Sequence, residues 1–314
     1  MYTLPILVWG EFYMKIRNIL SAALAAVLLL SIVPFAFADE VPNIHSGESS
    51  SLAQGEEMDT NYGFLDENWG TVATNNGCGV TPESDGEGIA VNYWRVGENN
   101  GSISVNYGEE YDASQGLYSC AEVYTNNGTV FTNLGNIYDN SGSVSSNEFL
   151  VMNNNPSGTI TDNCGDLAEV NLNNGCVVNN GSGGIVDLNG FKGVVENNSS
   201  YVGINYGTVT NAAGGTVEMN LGVLIDNGIP LFGVGYLTDE SAYMYDLHDS
   251  SFNSGFPSGT VITLRDVAVQ KDGCAFRGWR CDADGCLYQP GENFTVGSQP
   301  ALFTAQWENI SADL

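Results

Sequence analysis

Between Thr125 and Val144 the chain reads TNNGTVFTNLGNIYDNSGSV, and three residue types return every seven positions. They are Asn126, Asn133 and Asn140; Gly128, Gly135 and Gly142; and Val130, Ile137 and Val144. Seven is also the step of a coiled coil, but a helix fails here on two counts. A glycine every two turns costs about 1 kcal/mol each against alanine, and asparagine and β-branched residues add to that. Each heptad also offers one dependable apolar position where a coiled coil needs two. Asn-x-Gly reads instead as a turn, since both residues tolerate left-handed backbone angles. The Gly-x-Val that follows reads as a very short strand with one side chain pointing inward.

The motif runs far beyond that stretch. Gly-x-aliphatic recurs at fourteen non-overlapping positions from Gly63 to Gly222, and asparagine stands two places before ten of them. Such sustained self-similarity marks a solenoid. A turn and a short strand make one side of a coil, and three sides make a rung of roughly 21 residues. Rungs stack as parallel sheets about 4.8 Å apart. The expectation for residues 61–230 is therefore a parallel β-helix, or β-solenoid, of about eight rungs. Inward Val, Ile and Leu would stack into a narrow core, and asparagines at equivalent corners would bond amide to amide.

Three segments depart from the repeat: Thr81–Gly88, Gly108–Cys120 and Asn197–Gly203. Insertions in solenoids emerge as loops on one face, often the binding face. Tyr107, Tyr111, Tyr118 and Tyr124 lie at or near the longest break, and the first three are the candidate ligand contacts, for sugar stacking or a protein surface. The alternative is that these rings fill corners of the coil. The region resembles the Asn/Gly-rich β-solenoids of secreted bacterial adhesins, including filamentous-haemagglutinin-like and GLUG-type repeats.

The ends of the chain differ from its middle. Lys15 and Arg17 precede an apolar run from Ile19 to Val33, and Ala36-Phe37-Ala38 follows. Residues 1–38 read as a secretory signal peptide cleaved before Asp39, with Met14 as the true start. Residues 39–60 hold six acidic and no basic residues and read as a disordered linker. No later apolar stretch is long enough to span a bilayer. The terminal AQWENISADL has neither an apolar tail nor a Leu-Pro-x-Thr-Gly sorting signal, so the protein is expected to be released or held outside the cell non-covalently. Removing residues 1–38 leaves 8 − 2 = 6 basic and 37 − 1 = 36 acidic residues, a charge of −30. Such a surface repels nucleic acid and anionic lipid.

From about Leu231 the chain regains aromatic residues. DGCAFRGWRCDADG, LYQPGENFTV and LFTAQW follow one another in residues 272–307. In their order and spacing, Phe276, Gly278, Trp279, Tyr288, Gly291, Ala305 and Trp307 resemble the internalin-type B-repeat, also called the Listeria–Bacteroides repeat. The match covers about residues 237–309 and implies that the terminal segment 231–314, set off by its composition, holds a small β-grasp-like module of the kind carried by secreted and surface proteins of bacteria. It also implies a spacer or contact role without catalysis, and a Gram-positive producer. Trp279 and Trp307 are expected in its core. Gly278 is expected to allow close backbone packing.

Catalytic constellations are missing from the sequence. Arg95 and Lys192 are the sole basic residues of the repeat region, which leaves little for a polysaccharide lyase. The carboxylate pairs Asp85/Glu87 and Glu109/Glu110 lack a supporting motif. His45 and His248 lie outside the repeats. Asp282-Ala283-Asp284-Gly285 lacks the remaining ligands of a calcium loop. The seven cysteines show no zinc spacing, and Cys281 and Cys286 bracket a turn that a local disulfide would close. No cofactor and no metal is expected. The reading is a secreted, monomeric, adhesin-like scaffold with an extracellular protein or glycan as partner. A carbohydrate-active β-helix enzyme is the alternative. An ice-binding solenoid would need a regular Thr array that is absent here.

Overall fold

The computed structural model describes residues 49–77, 88–107, 110–112, 117–119, 121–239, 242–244, 255–265 and 273–310, together with Ile44 and Lys271. The signal-peptide reading, both histidines, Cys78 and Cys120 lie outside the described residues. Every named element is a strand. No helix among the described residues is long and apolar enough to cross a membrane.

The repeat region is a parallel β-solenoid. Its strands alternate between a ten-stranded and a twelve-stranded sheet. In the ten-stranded sheet Glu122 pairs with Asn136, and Asn136 with Leu150. One turn therefore takes fourteen residues and has two sides. The expected three-sided rung of roughly 21 residues is corrected by this register, and ten turns replace the expected eight. The seven-residue period defines a side; it does not say how many sides close the coil.

Most strands are five residues long, with the second and fifth buried, as in Thr129–Asn133 and Asn136–Asn140. The second is aliphatic and the fifth is asparagine. In a flat strand, residues three apart point to opposite faces. Both are buried here because the chain bends into the corner at the asparagine, rotating its amide inward. Val130, Ile137, Val144 and Val151 are fully buried and belong to one continuous core running from Ile44 to Leu224. Each such side chain contributes about 1.5–3 kcal/mol by leaving water.

The asparagines form two ladders. In the ten-stranded sheet the amide nitrogen of Asn126 donates to Oδ1 of Asn140 at 2.8 Å, and Asn140 donates to Asn154 at 2.8 Å. That ladder runs unbroken from Asn61 to Asn220. The twelve-stranded sheet has its own, from Asn68 to Asn211. Most rungs use the second amide proton as well, as where Asn126 donates to the Ser143 carbonyl at 3.3 Å. The interior thus carries a polar column whose members satisfy one another.

The glycines serve a different purpose from the one the turn chemistry suggests. Gly128, Gly135 and Gly142 do not have positive φ. A Cβ on Gly128 would lie 2.1 Å from the Gly101 carbonyl oxygen, and one on Gly142 would lie 2.1 Å from that of Gly128. At Gly135 the obstacle is the Ala121 carbonyl oxygen at 2.5 Å. Glycine is required because successive corners stack too closely for a side chain.

The solenoid also begins earlier than expected. Ser49–Leu52 and Glu57–Asn61 are strands within it, and Leu52 and Met58 are buried in its core. The described part of the acidic segment 39–60 is therefore structure, not linker. One inward apolar residue per strand is sufficient, because the neighbouring turn supplies the rest of the contact.

At the other end the last solenoid strand, Val223–Asp226, turns back through a hairpin into Ile229–Phe232. The chain continues into a mixed five-stranded sheet in which Val234–Asp239 runs parallel to Ala301–Asn309, and Cys274–Cys281 runs antiparallel to it. Trp279 is fully buried in this module, and its Nε1–H donates to the Arg265 carbonyl at 3.1 Å. Trp307 is half-buried against the edge of Phe276. Gly278 sits at a β-bulge with φ +133°, where a Cβ would lie 2.6 Å from the Tyr288 carbonyl oxygen. Val223 pairs with Phe232 and packs against the module's core, so the last solenoid turn shares contacts with the module. Cys281 and Cys286 are free thiols, one buried and the other exposed, so the expected local disulfide is not formed.

Candidate functional site

Two long insertions break the fourteen-residue register. Asn75 to Asn99 spans 24 positions and Asn99 to Asn126 spans 27. The first insertion, residues 78–87, lies outside the described residues, but its flanks meet: a Cβ on Gly77 would lie 2.6 Å from the Gly88 nitrogen. The second insertion is flanked by Tyr107 and Ala121, whose backbones hydrogen-bond at 3.2 Å. Removing ten and thirteen residues restores 24 − 10 = 14 and 27 − 13 = 14. At both places the coil closes between the flanking residues.

They leave at opposite corners. The first follows Thr71–Asn75 of the ten-stranded sheet, and the second follows Ser102–Asn106 of the twelve-stranded sheet. The expectation of loops on one face is corrected by this alternation. The third supposed break, Asn197–Gly203, is an ordinary corner: Ser199 and Ser200 join a strand of the twelve-stranded sheet to one of the ten-stranded sheet. In the second insertion, Glu110–Asp112 and Leu117–Ser119 pair antiparallel, with Tyr111 opposite Tyr118. The side chains of Tyr111 and Tyr118 lie outside the described residues.

Tyr107 stands at the base of that hairpin as the last ring of a stack. Trp69 and Tyr93 lie face to face at 4.0 Å, and Tyr107 follows at 5.1 Å with a 43° tilt. These rings occupy the same corner of successive turns. Trp69 and Tyr93 cover each other's faces, and Tyr107, half-buried, leans against Tyr93.

The outer face of the ten-stranded sheet beside the hairpin holds a second group, built around Tyr124. Arg95 Nε lies 2.8 Å from Glu122 Oε2. Tyr124 donates to that oxygen at 3.1 Å, and Tyr138 to Glu122 Oε1 at 2.9 Å. The tyrosine rings stack at 5.0 Å, and the Arg95 guanidinium lies 5.4 Å from the Trp94 ring centre. Burial, then the Glu122 charge, raises the Tyr124 phenol above its ordinary value, so it stays a neutral donor. With its carboxylate already bonded to three donors, the cluster is suited to contact through rings and hydroxyls. The fourteen-residue step from Tyr124 to Tyr138 would have revealed the stacked pair, had the turn length been known.

Among the described residues, no group of three or more His, Cys, Asp or Glu is placed to hold a metal ion.

No family profile matches this chain, and no solved structure matches it. A protein of Evansella cellulosilytica described as a Gly-rich membrane protein is 34% identical over 76 residues, 20% of this chain. The match covers 9% of that relative's length, a small part of a much longer protein.

Proposed function

We propose that this protein is a secreted, adhesin-like, non-catalytic scaffold that binds an extracellular protein or glycan through the insertion 108–120 and the aromatic face beside it. The observation that supports the reading is the placement of that insertion. Its flanks, Tyr107 and Ala121, meet where the register of the coil closes, next to Trp94, Arg95, Tyr124 and Tyr138. A rigid, self-satisfied solenoid gives such a loop a fixed base, which is where recognition residues are commonly carried. Two further points favour a location outside the cell. One is the basic, apolar and Ala-x-Ala order of residues 15–38. The other is the resemblance of the terminal module to B-repeats. The Evansella relative's description as a membrane protein accords with a place at the envelope.

The test is a glycan and protein array probed with residues 39–314 and with the same chain lacking 108–120. The reading expects both to give the same far-UV spectrum and the deletion alone to lose its bound targets. Unchanged binding by the deletion variant would overturn the assigned surface. Turnover of any polysaccharide would overturn the non-catalytic reading.

A further inference from the structure

The chain contains seven Asn-Gly dipeptides, at Asn76, Asn100, Asn127, Asn174, Asn180, Asn189 and Asn227. Asn-Gly is the pair most open to spontaneous deamidation, because glycine leaves the following backbone nitrogen unshielded. In that reaction the nitrogen loses its proton and bonds to the asparagine Cγ. The side-chain nitrogen departs as ammonia, and a five-membered succinimide remains. Water then opens either carbonyl of the ring to give aspartate or isoaspartate. The net change is amide plus water to carboxylic acid plus ammonia, with no oxidant or cofactor.

The solenoid blocks this at six of the seven. In each, the glycine N–H donates to a carbonyl of the preceding turn: Gly77 to Asn61 at 3.1 Å, Gly101 to Asn75 at 3.0 Å and Gly128 to Asn99 at 2.9 Å. The same holds for Gly175 to Asn154 at 3.1 Å, Gly181 to Asn163 at 2.8 Å and Gly190 to Asn173 at 2.7 Å. A nitrogen held in that bond cannot readily give up its proton or swing towards the side chain. Asn180 and Asn189 are further tied into the interior ladders.

Asn227-Gly228 is built differently. It forms the two-residue turn of the hairpin between Val223–Asp226 and Ile229–Phe232, with φ +49° at Asn227 and +76° at Gly228. Both residues are exposed, and the Gly228 N–H makes no hydrogen bond in the turn. We infer that Asn227 is the deamidation site of this protein, and that inter-turn hydrogen bonding keeps the other six Asn-Gly pairs intact. The modification adds a negative charge beside Asp226. In its isoaspartyl form it also lengthens the backbone of the hairpin that closes the solenoid.

The experiment ages the full native chain in mildly alkaline buffer, follows each Asn-Gly peptide by mass spectrometry and assays isoaspartate by enzymatic methylation. A parallel sample is aged in denaturant. The inference expects Asn227 to convert roughly tenfold or more faster than the other six in the native chain, as protection by folding requires. In denaturant all seven should converge. A Gly228→Ala variant should slow conversion at Asn227 alone. Native conversion of the corner pairs at the Asn227 rate, or an Asn227 that converts only in denaturant, would overturn it.

Discussion

The side-chain amide of Asn211 donates to the carboxylate of Asp226 at 3.3 Å, where each earlier turn of the twelve-stranded sheet offers another asparagine. The ladder is directional: every amide donates towards the C-terminal turn, so its last donor needs a separate acceptor. Asp226 supplies one for Asn211, and the Leu231 carbonyl supplies one for Asn220 at 3.3 Å. At the opposite end, the first acceptors take backbone protons from their own corners, Asn61 from Gly63 at 3.2 Å and Asn68 from Gly70 at 3.1 Å. A column of buried amides persists only when its two ends are also satisfied.

Position along the ladder should therefore decide what a substitution costs. Asn140→Leu removes the acceptor of Asn126 and the donor to Asn154, both buried. Unsatisfied buried groups cost roughly 1–3 kcal/mol each, so a loss of about 2–4 kcal/mol is expected. Asp226→Leu deprives Asn211, at a partly exposed end, and the exposed amide of Asn227, and should cost under about 1 kcal/mol. Equilibrium urea unfolding of the two variants measures the difference.

Glycine corners should tolerate no side chain where turns stack. Gly128→Ala places a methyl 2.1 Å from the Gly101 carbonyl oxygen, and the backbone cannot yield cheaply. Overpacking of this kind costs typically 1–3 kcal/mol. Gly297→Ala, where nothing lies within 4 Å and φ is not positive, should leave the melting temperature unchanged. A paired thermal melt tests both.

Thiol reactivity should follow burial. Burial, then the Glu196 carboxylate, pushes the Cys176 thiol up to about 11. Cys286 is exposed. Alkylation of the native protein at neutral to mildly alkaline pH should label Cys286 first, with Cys176 following only as the pH nears 11. The sign for stability is set by the same shift. The folded chain holds this proton more tightly than the unfolded chain, so the contribution is complete below the ordinary value of 9.0 and is lost as pH rises to about 11. Peptide mapping after timed alkylation reads the order directly.

In the terminal module, Trp279→Ala should cost roughly 3–5 kcal/mol through the cavity it leaves. Trp279→Phe should cost about 1 kcal/mol, mainly the lost donor to the Arg265 carbonyl. Tryptophan emission during denaturation distinguishes the two.

Much of this architecture is legible in the sequence, though not its closure. Asn126, Asn133 and Asn140 mark the sides of the coil and the inward amides together. Counting sides requires knowing which strands pair, and seven residues per side fit two sides as readily as three. The role of Gly128 escapes a local reading for a similar reason. Local motif chemistry points to backbone angles, whereas the actual constraint is the Gly101 carbonyl in the turn before it, 27 residues earlier in the chain. A better local signal was present: an aliphatic residue three places before asparagine, as in Val72–Asn75 and Val123–Asn126. It extends back to Met58–Asn61 and so places the acidic segment inside the solenoid. The Arg95–Glu122 contact is not legible, because an insertion of thirteen residues separates the two in the chain.

The interior amide ladders are the central claim, and side-chain hydrogen exchange tests them most directly. In a chain labelled with nitrogen-15 asparagine, NMR would follow the Nδ2 protons of Asn126, Asn133 and Asn140 after transfer to deuterated water, with exposed Asn127 as the internal reference. Slow exchange of all three beside rapid exchange of Asn127 is the expected result. Exchange of Asn140 at the rate of Asn127 would contradict it.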